Sequence, residues 1–350
     1  MKTNVVVLFG GKSSEHEISC MSAKTIINAL NPEKYHVEKV LISKEGLWRY
    51  YEGEIAELNE EEVIAKAPEA AILPGQEKAA LMVKKNGQWQ ELPIDIALPV
   101  LHGKNGEDGT IQGLFEIARI PYVGCGVLAS ADAMDKLTTK RIVMPLGIRQ
   151  AKYEPVFGWE LNHMNAVMDR VEKALPYPVY VKPANAGSSV GVSKAENRKE
   201  LEQALYLAAE HDGRILVEET IVGREIECAV LGNEEPKASG VGEILAADTF
   251  YTYDAKYNNA ESKTVVDPDL PQETVEEIRR DACQIFQALN GRGLSRVDFF
   301  VEKESGEVVF NEINTFPGFT AISMYPMLWK NQGYTIESLV DELIQLGLTR

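Results

Sequence analysis

Basic residues are scarce in this chain: 36 lysines and arginines stand against 53 aspartates and glutamates, a formal net charge of −17. Nucleic acids and anionic membranes recruit proteins through clustered Lys and Arg, so neither is expected as a partner. A triphosphate is not excluded, because it needs only a local basic pocket and a metal. Long apolar runs are missing too. The run Asn4 to Phe9 ends at Gly10-Gly11, too short for a signal peptide, and no window approaches a membrane span. A cytoplasmic protein is expected. The four cysteines, Cys20, Cys125, Cys228 and Cys283, lie far apart with no CxxC pair, which removes the usual thiolate metal or redox motif and predicts buried free thiols.

Two nucleotide fingerprints are also incomplete. Gly11-Lys12-Ser13 has the end of a phosphate-binding P-loop, but Val6 stands where its first glycine must be. Gly124-Cys125-Gly126-Val127-Leu128-Ala129 matches GxGxxA, yet Leu146-Gly147 occupies the place, roughly 20 residues on, where a ribose-binding acid belongs. A nicotinamide-dependent dehydrogenase therefore has little support, and these glycines read better as a domain junction.

What is present is an α/β pattern long enough for two or three domains. The buried run Asn4 to Phe9, a glycine turn and a helix start make the ligand-facing edge of an open parallel sheet. Ser14 and Glu17 have capping-box spacing. Glu15 at that edge either compensates the helix dipole or faces a ligand. Val37 to Ser43, Leu47 to Tyr51 and Ile94 to Val100 read as strands, and Ala71 to Leu73 and Ala80 to Val83 as weaker ones. After Val100 comes a second glycine-rich polar loop, His102 to Thr110, then a helix from Gln112 and a short strand at Pro121 to Val123. Single helices are predicted for Ser130 to Met144 and Trp159 to Leu175. Pro178 to Pro183 is a strand carrying Lys182, and Ala184 to Val192 is a small-residue loop. Such a loop is either a plain turn or an anion-binding concavity beside a compact positive charge. Ile215 to Glu219 is a strand ending in acids, and Glu225 opens the next. Asp248 to Tyr257, aromatic and polar without a period, suits an ordered lid. Pro271 to Leu289 reads as an amphipathic helix packed against the hairpin that follows, and Ile336 to Leu346 as a closing helix.

That hairpin, Ser295 to Phe319, carries the strongest chemical pattern. With period-two alternation, Arg296 and Asp298 share one face of the first strand, and Glu312 and Asn314 share one face of the second. A carboxylate from each strand can then converge with the Asn314 amide, a hard-oxygen set that suits Mg²⁺ with a phosphate substrate. A solvated polar face gives the same pattern. Thr315 to Phe319 adds a Gly318 whose backbone N–H can approach a ligand closely.

Taken in order, GGKSSEHEIS, LHGKNGEDGTIQG, MDKLTTK, VKPANAGSSVGV, VEETIVGREIE, TFYTYDAKY and SRVDFF through NEINTFPGFTAISMYP resemble the D-alanine–D-alanine ligases of the ATP-grasp family across essentially the whole chain. The resemblance implies an α/β fold of three-domain ATP-grasp architecture with an N-terminal open parallel-sheet domain. The divisions expected are 1–124 for substrate binding, 125–218 for the central subdomain, and 219–350 for the last, with lid and metal site. It also implies ATP-dependent joining of two D-alanines through D-alanyl phosphate, a step of peptidoglycan synthesis.

By the same resemblance, Lys136 and Lys182 hold ATP phosphates under the Ser188-Ser189 loop. Glu218, Glu219, Ile221 and Glu225 meet adenine and ribose, and Lys256 reaches the γ-phosphate from the lid. Asp298, Glu312 and Asn314 hold a pair of Mg²⁺ ions, replaceable by Mn²⁺. Glu15 fixes the first D-alanine's ammonium, linked to Ser188 and Tyr257, with His102 and Glu107 lining that pocket. Arg296 and the Gly318 N–H stabilise the oxyanion, and Ser323 binds the second carboxylate. A homodimer is implied. Family members that join D-serine resemble this chain but carry a basic residue where Met324 stands, and those forming the D-lactate ester lack the AKY lid, so D-alanine is the expected second substrate. Ala186 and His16 depart from relatives that have Glu and Arg there. The alternatives are a D-alanine–D-serine ligase and a non-catalytic ATP-binding regulator on the same scaffold.

Overall fold

Strand β1 (Thr3–Gly10) is buried from Val5 onward, so it needs neighbours on both sides and cover on both faces. The computed structural model describes residues 2–245 and 263–350. After β1, the glycine turn leads into helix α1 (His16–Ala29). The expected Ser14 capping box does not form: Glu15 occupies the cap position without a side-chain cap bond, because its carboxylate is used elsewhere, and Glu17 pairs with Lys44. Strand β1 runs parallel to β2 (Tyr35–Ile42), which carries the antiparallel β3 (Trp48–Tyr51) at the edge. The acidic stretch beyond holds a helix unseen in the sequence, α2 (Glu60–Lys66), capped by the Asn59 side chain. It is followed by a three-stranded antiparallel sheet of β4 (Ala70–Ile72), β5 (Ala80–Lys85) and β6 (Gln88–Pro93). Strand β7 (Ile96–Val100) then returns to the other side of β1, again parallel. Helix α3 (Thr110–Ala118) follows, and the strand expected at Pro121 to Val123 is reduced to a bridge between Tyr122 and Ala97.

The single helix expected over Ser130 to Met144 is two, α4 (Val127–Met134) and α5 (Lys136–Val143). Asp135 separates them with extended geometry, and its side chain accepts the Thr138 N–H at 2.7 Å. Beyond β8 (Tyr153–Phe157), the chain makes a 3₁₀ turn before α6 (Met164–Ala174), so the helix expected from Trp159 starts later. Strands β9 (Val179–Pro183) and β10 (Ser193–Ala195), helix α7 (Arg198–Ala209) and strand β11 (Arg214–Glu219) complete an antiparallel sheet of order β10-β9-β11-β8. The last sheet takes β12 (Gly223–Gly232), β13 (Lys237–Leu245), β14 (Lys263–Val266), β15 (Gly293–Glu302) and β16 (Val308–Asn314) in the order β14-β13-β12-β15-β16. Helix α8 (Gln272–Ala288) packs Ile278, Ala282, Ile285 and Phe286 into one cluster with Val297, Phe299, Val308 and Phe310 of the hairpin, as its periodicity requires.

Helices α9 (Met324–Asn331) and α10 (Ile336–Leu348) close the chain. Phe319, Trp329 and Leu343 join Val5, Val7 and Phe9 of the first sheet to Leu231 and Leu294 of the last in one core cluster. Burial at this density fixes the two sheets to one another, since a core packed like a crystal transmits displacement. Among the described residues no helix is long and apolar enough to cross a membrane.

Candidate active site

A cleft of about 700 Å³ lies where the loops of the first sheet meet the β10-β9-β11-β8 sheet and the last sheet, lined by Glu15, Glu107, Lys136, Lys182, Ser188, Ser189, Glu218, Glu219, Ile221, Glu225, Asp298, Glu312 and Asn314 among others. Each arrives for a local reason. Glu15 sits where the chain enters α1, and Gly103 faces it across the cleft wall. A Cβ on Gly103, whose φ is +67°, would stand 2.5 Å from Glu15 Oε2, so only glycine leaves room for that carboxylate. The Ser188 hydroxyl donates to Glu15 Oε1 at 2.6 Å, tying the small-residue loop to the first sheet. Ser188 and Ser189 both hold positive φ, 51° and 58°. That conformation costs non-glycine residues energy and persists where the surroundings impose it.

The helix break at Asp135 aims Lys136 into the cleft. Its ammonium donates to the Ala186 carbonyl at 2.8 Å and lies 3.4 Å from Glu312 Oε2. Asp135 is itself held by Arg214 at 2.7 Å and by the Asn185 amide at 2.9 Å. Deeper in, Glu218 accepts Lys140 on one oxygen and Lys182 on the other, both at 2.6 Å. Burial alone would raise this carboxyl, but the two ammonium groups hold it well below the usual range, at about 2. For Lys182, burial opposes the charge, and Glu218, Glu312 and Glu225 outweigh it and raise its pKa.

In the hairpin, Arg296 pairs with Asn314 and Asp298 with Glu312 across the strands, so all four share a face. Arg296 binds Asp298 in a fork, Nε to Oδ1 at 2.7 Å and Nη2 to Oδ2 at 2.6 Å, and stands 3.2 Å from Glu227. The Asn314 amide also donates to Asp298 Oδ2, at 3.0 Å. Two carboxylates and an amide oxygen on one rim form a hard donor set that fits a divalent cation of the Mg²⁺ type.

Of the predicted residues, His102, Ser323 and Met324 stand around the cleft and not on its lining. His102 is buried, with Nδ1 2.9 Å from the Phe316 carbonyl and Nε2 3.1 Å from the Ser22 hydroxyl. Ser22 in turn accepts the Phe319 N–H at 3.1 Å. Ser323 Oγ accepts the Thr320 N–H at 3.0 Å and lies close enough to Gly318 that a Cβ there would meet it at 2.9 Å. Met324 is placed differently from the expectation that it reaches the second substrate. It is 3% exposed and packs in the core against Gly242, where a Cβ would lie 2.2 Å from its Sδ. Glu107 grips two backbone N–H groups, Gly103 at 2.8 Å and Phe316 at 2.9 Å. Burial of the carboxylate, then the nearby Glu15 charge, push it up to about 7. Lys256, Tyr257 and the rest of the expected lid lie outside the described residues.

Lys140 was not foreseen. It is 1% exposed, against an expectation that lysines on a short helix are solvated. The available signal was its position four residues after Lys136, which puts both ammonium groups on one helix face.

The family model described as "D-ala D-ala ligase N-terminus" matches residues 4–125, and "D-ala D-ala ligase C-terminus" matches residues 142–345. This chain belongs to the D-alanine–D-alanine ligase family. A D-alanine–D-alanine ligase of Acetivibrio thermocellus is 49% identical over 363 residues, covering 100% of this chain and 96% of that one. One of Ruminiclostridium cellulolyticum is 49% identical over 362 residues, with the same coverage. Among solved structures, the VanG D-Ala:D-Ser ligase from Enterococcus faecalis has a TM-score of 0.89 at 36% identity, covering 99% of this chain and 100% of that chain. The D-alanine–D-alanine ligase from Coxiella burnetii gives 0.87 at 34%, covering 100% and 94%. The ligase is an ATP-dependent enzyme with the ATP-grasp fold.

Proposed function

We propose that this ligase joins two molecules of D-alanine, supplying the dipeptide for peptidoglycan precursors. One observation carries the reading: Ser188 bonds Glu15, an acceptor for an ammonium group, in the same cleft that gathers Asp298, Glu312, Asn314 and Lys136. An amino acid and a polyphosphate can therefore meet inside one enclosure.

Lys136 and Lys182 hold the phosphates of ATP, with backbone N–H groups of the Ser188-Ser189 loop above them. Glu218 acts through Lys182, setting where that ammonium stands. Glu219, Ile221 and Glu225 border the nucleoside. Asp298, Glu312 and Asn314 hold Mg²⁺, or Mn²⁺ in its place, as a pair of ions; when bound, these neutralise charge on the phosphates. The carboxylate of the first D-alanine, oriented by its ammonium on Glu15, attacks the γ-phosphorus to give D-alanyl phosphate and ADP. The amine of the second, its carboxylate on Ser323, attacks the acyl carbon, and phosphate leaves. Arg296 and the Gly318 N–H face the developing oxyanion, a kind of donor whose loss costs roughly 10²–10³ in kcat. His102 and Glu107 fix the loops around the first substrate. Lys256 and Tyr257 close over the γ-phosphate, and exclusion of water protects the acyl phosphate. The same proposal has the enzyme working as a homodimer in the cytoplasm.

A second reading, D-serine as the second substrate, is favoured by the 36% identity to a D-Ala:D-Ser ligase. Against it, relatives 49% identical over the whole chain are named D-alanine–D-alanine ligases. The test is phosphate release from ATP and Mg²⁺ with D-alanine alone, then with D-serine or D-lactate competing, and products separated by mass. D-alanyl-D-alanine as main product is expected. A mixed dipeptide as main product would overturn the substrate assignment, and absence of D-alanine-dependent phosphate release would leave only an ATP-binding regulator.

A further inference from the structure

His16 and Cys20 are one turn apart on α1 and share a face, and both are buried, at 1% and 4% exposure. Glu60, the first residue of α2, stands opposite them with a side chain 36% exposed. His16 Nδ1 lies 2.8 Å from the Gly11 carbonyl, which can only accept, so Nδ1 carries a proton. The other ring nitrogen, Nε2, is 2.9 Å from Glu60 Oε2. With that tautomer, Nε2 and a Glu60 carboxylate oxygen are two acceptors facing each other, so either a proton shared between them or a metal ion upon them is required. The ligand atoms of His16, Cys20 and Glu60 all lie within 4.8 Å of one another.

Thiolate, imidazole and carboxylate form the borderline set that suits Zn²⁺ and its neighbours, unlike the all-oxygen rim of the cleft. A ligating histidine whose other N–H goes to a backbone carbonyl is the usual supporting arrangement. The half-exposed Glu60 leaves a path to solvent and room for a water as fourth ligand.

We propose that His16 Nε2, Cys20 Sγ and a Glu60 oxygen form a binding site for one divalent transition-metal ion of the zinc class. Binding exchanges the thiol proton of Cys20 for a metal–sulfur bond, and the proton passes to solvent. An ion there clamps α2 onto α1 directly behind Gly11 and Glu15, so it steadies the loop that carries Glu15.

The test is Co²⁺ titration of the chelator-stripped protein with excess Mg²⁺ present, read as the thiolate-to-cobalt charge-transfer band. The oxygen rim of the cleft cannot give that band. One equivalent producing it, displaced by Zn²⁺, is expected, and Cys283→Ser should keep it. Cys20→Ser should abolish it. Glu60→Gln, at a half-exposed position where folding is not at stake, should weaken binding roughly tenfold or more. Thermal unfolding should rise with Zn²⁺ in the parent and not in Cys20→Ser. No band in the parent, or an undiminished band in Cys20→Ser, would overturn the site and leave a plain hydrogen-bonded His16–Glu60 pair.

Discussion

Two ammonium groups converge on Glu218, one on each oxygen, and neither comes from its own element. Removing one partner of such a buried pair leaves charge uncompensated in a dry site, a loss of roughly 3–5 kcal/mol. For Lys140→Met, with Lys182 still in place, the lower end of that range is expected as a drop in the urea midpoint at neutral pH. Glu218→Gln should cost more, since two ammonium groups then lose their partner; an equal or smaller loss would show that water, not Glu218, solvates the lysines. Because the folded carboxyl titrates at about 2 against 4.5 when free, its stabilising contribution is complete above pH 4.5 and is lost as pH falls towards 2. The sequence pointed to Lys182 and Glu218 through a strand beside a small-residue loop and a strand ending in acids. Lys140 escaped because its partner lies far along the chain, and local patterns on a short helix make a lysine look solvated.

At the level of elements, continuous apolar runs made β1 and β7 readable, and period-two alternation made the β15–β16 hairpin readable with its facing residues. Elements lacking such a signal were missed. Strand β6 is almost wholly exposed, so its residues show no inward set, and β13 carries Gly240 and Gly242, which weaken any strand pattern. Gly242 is there because the Met324 side chain fills its space. The break between α4 and α5 was missed because apolar spacing runs across it, although Asp135 is a preferred cap residue. That cap has a measurable role. Asp135→Ala should cost about 1–2 kcal/mol for the cap and raise the KM for ATP by letting Lys136 drift. Asp135→Asn still caps and should recover most of the stability in urea unfolding. Equal losses in the two variants would assign the effect to the Arg214 ion pair and not to the cap.

Across the whole molecule, the site is assembled by contacts that join the loops of the first sheet to the other two: Ser188, from the loop between β9 and β10, with Glu15, and, from the segment after β16, Phe319 with Ser22 and Phe316 with His102 and Glu107. No local pattern could show these meetings; only the resemblance to a family placed them together in advance. Glu107 makes the joint sensitive to pH. Its carboxyl, with Glu15 close by, titrates near 7 in the folded protein against 4.5 when free, so the folded state holds the extra proton across that window. Stability from this group is therefore full below pH 4.5, declines as pH rises through about 7, and is level beyond. Glu107→Gln should remove that decline from a plot of Tm against pH. It should also lower the whole curve, because an amide oxygen can accept from only one of the Gly103 and Phe316 N–H groups, leaving the other unpaired at a cost of roughly 1–3 kcal/mol. A decline that survives the substitution would show that Glu107 is not its source.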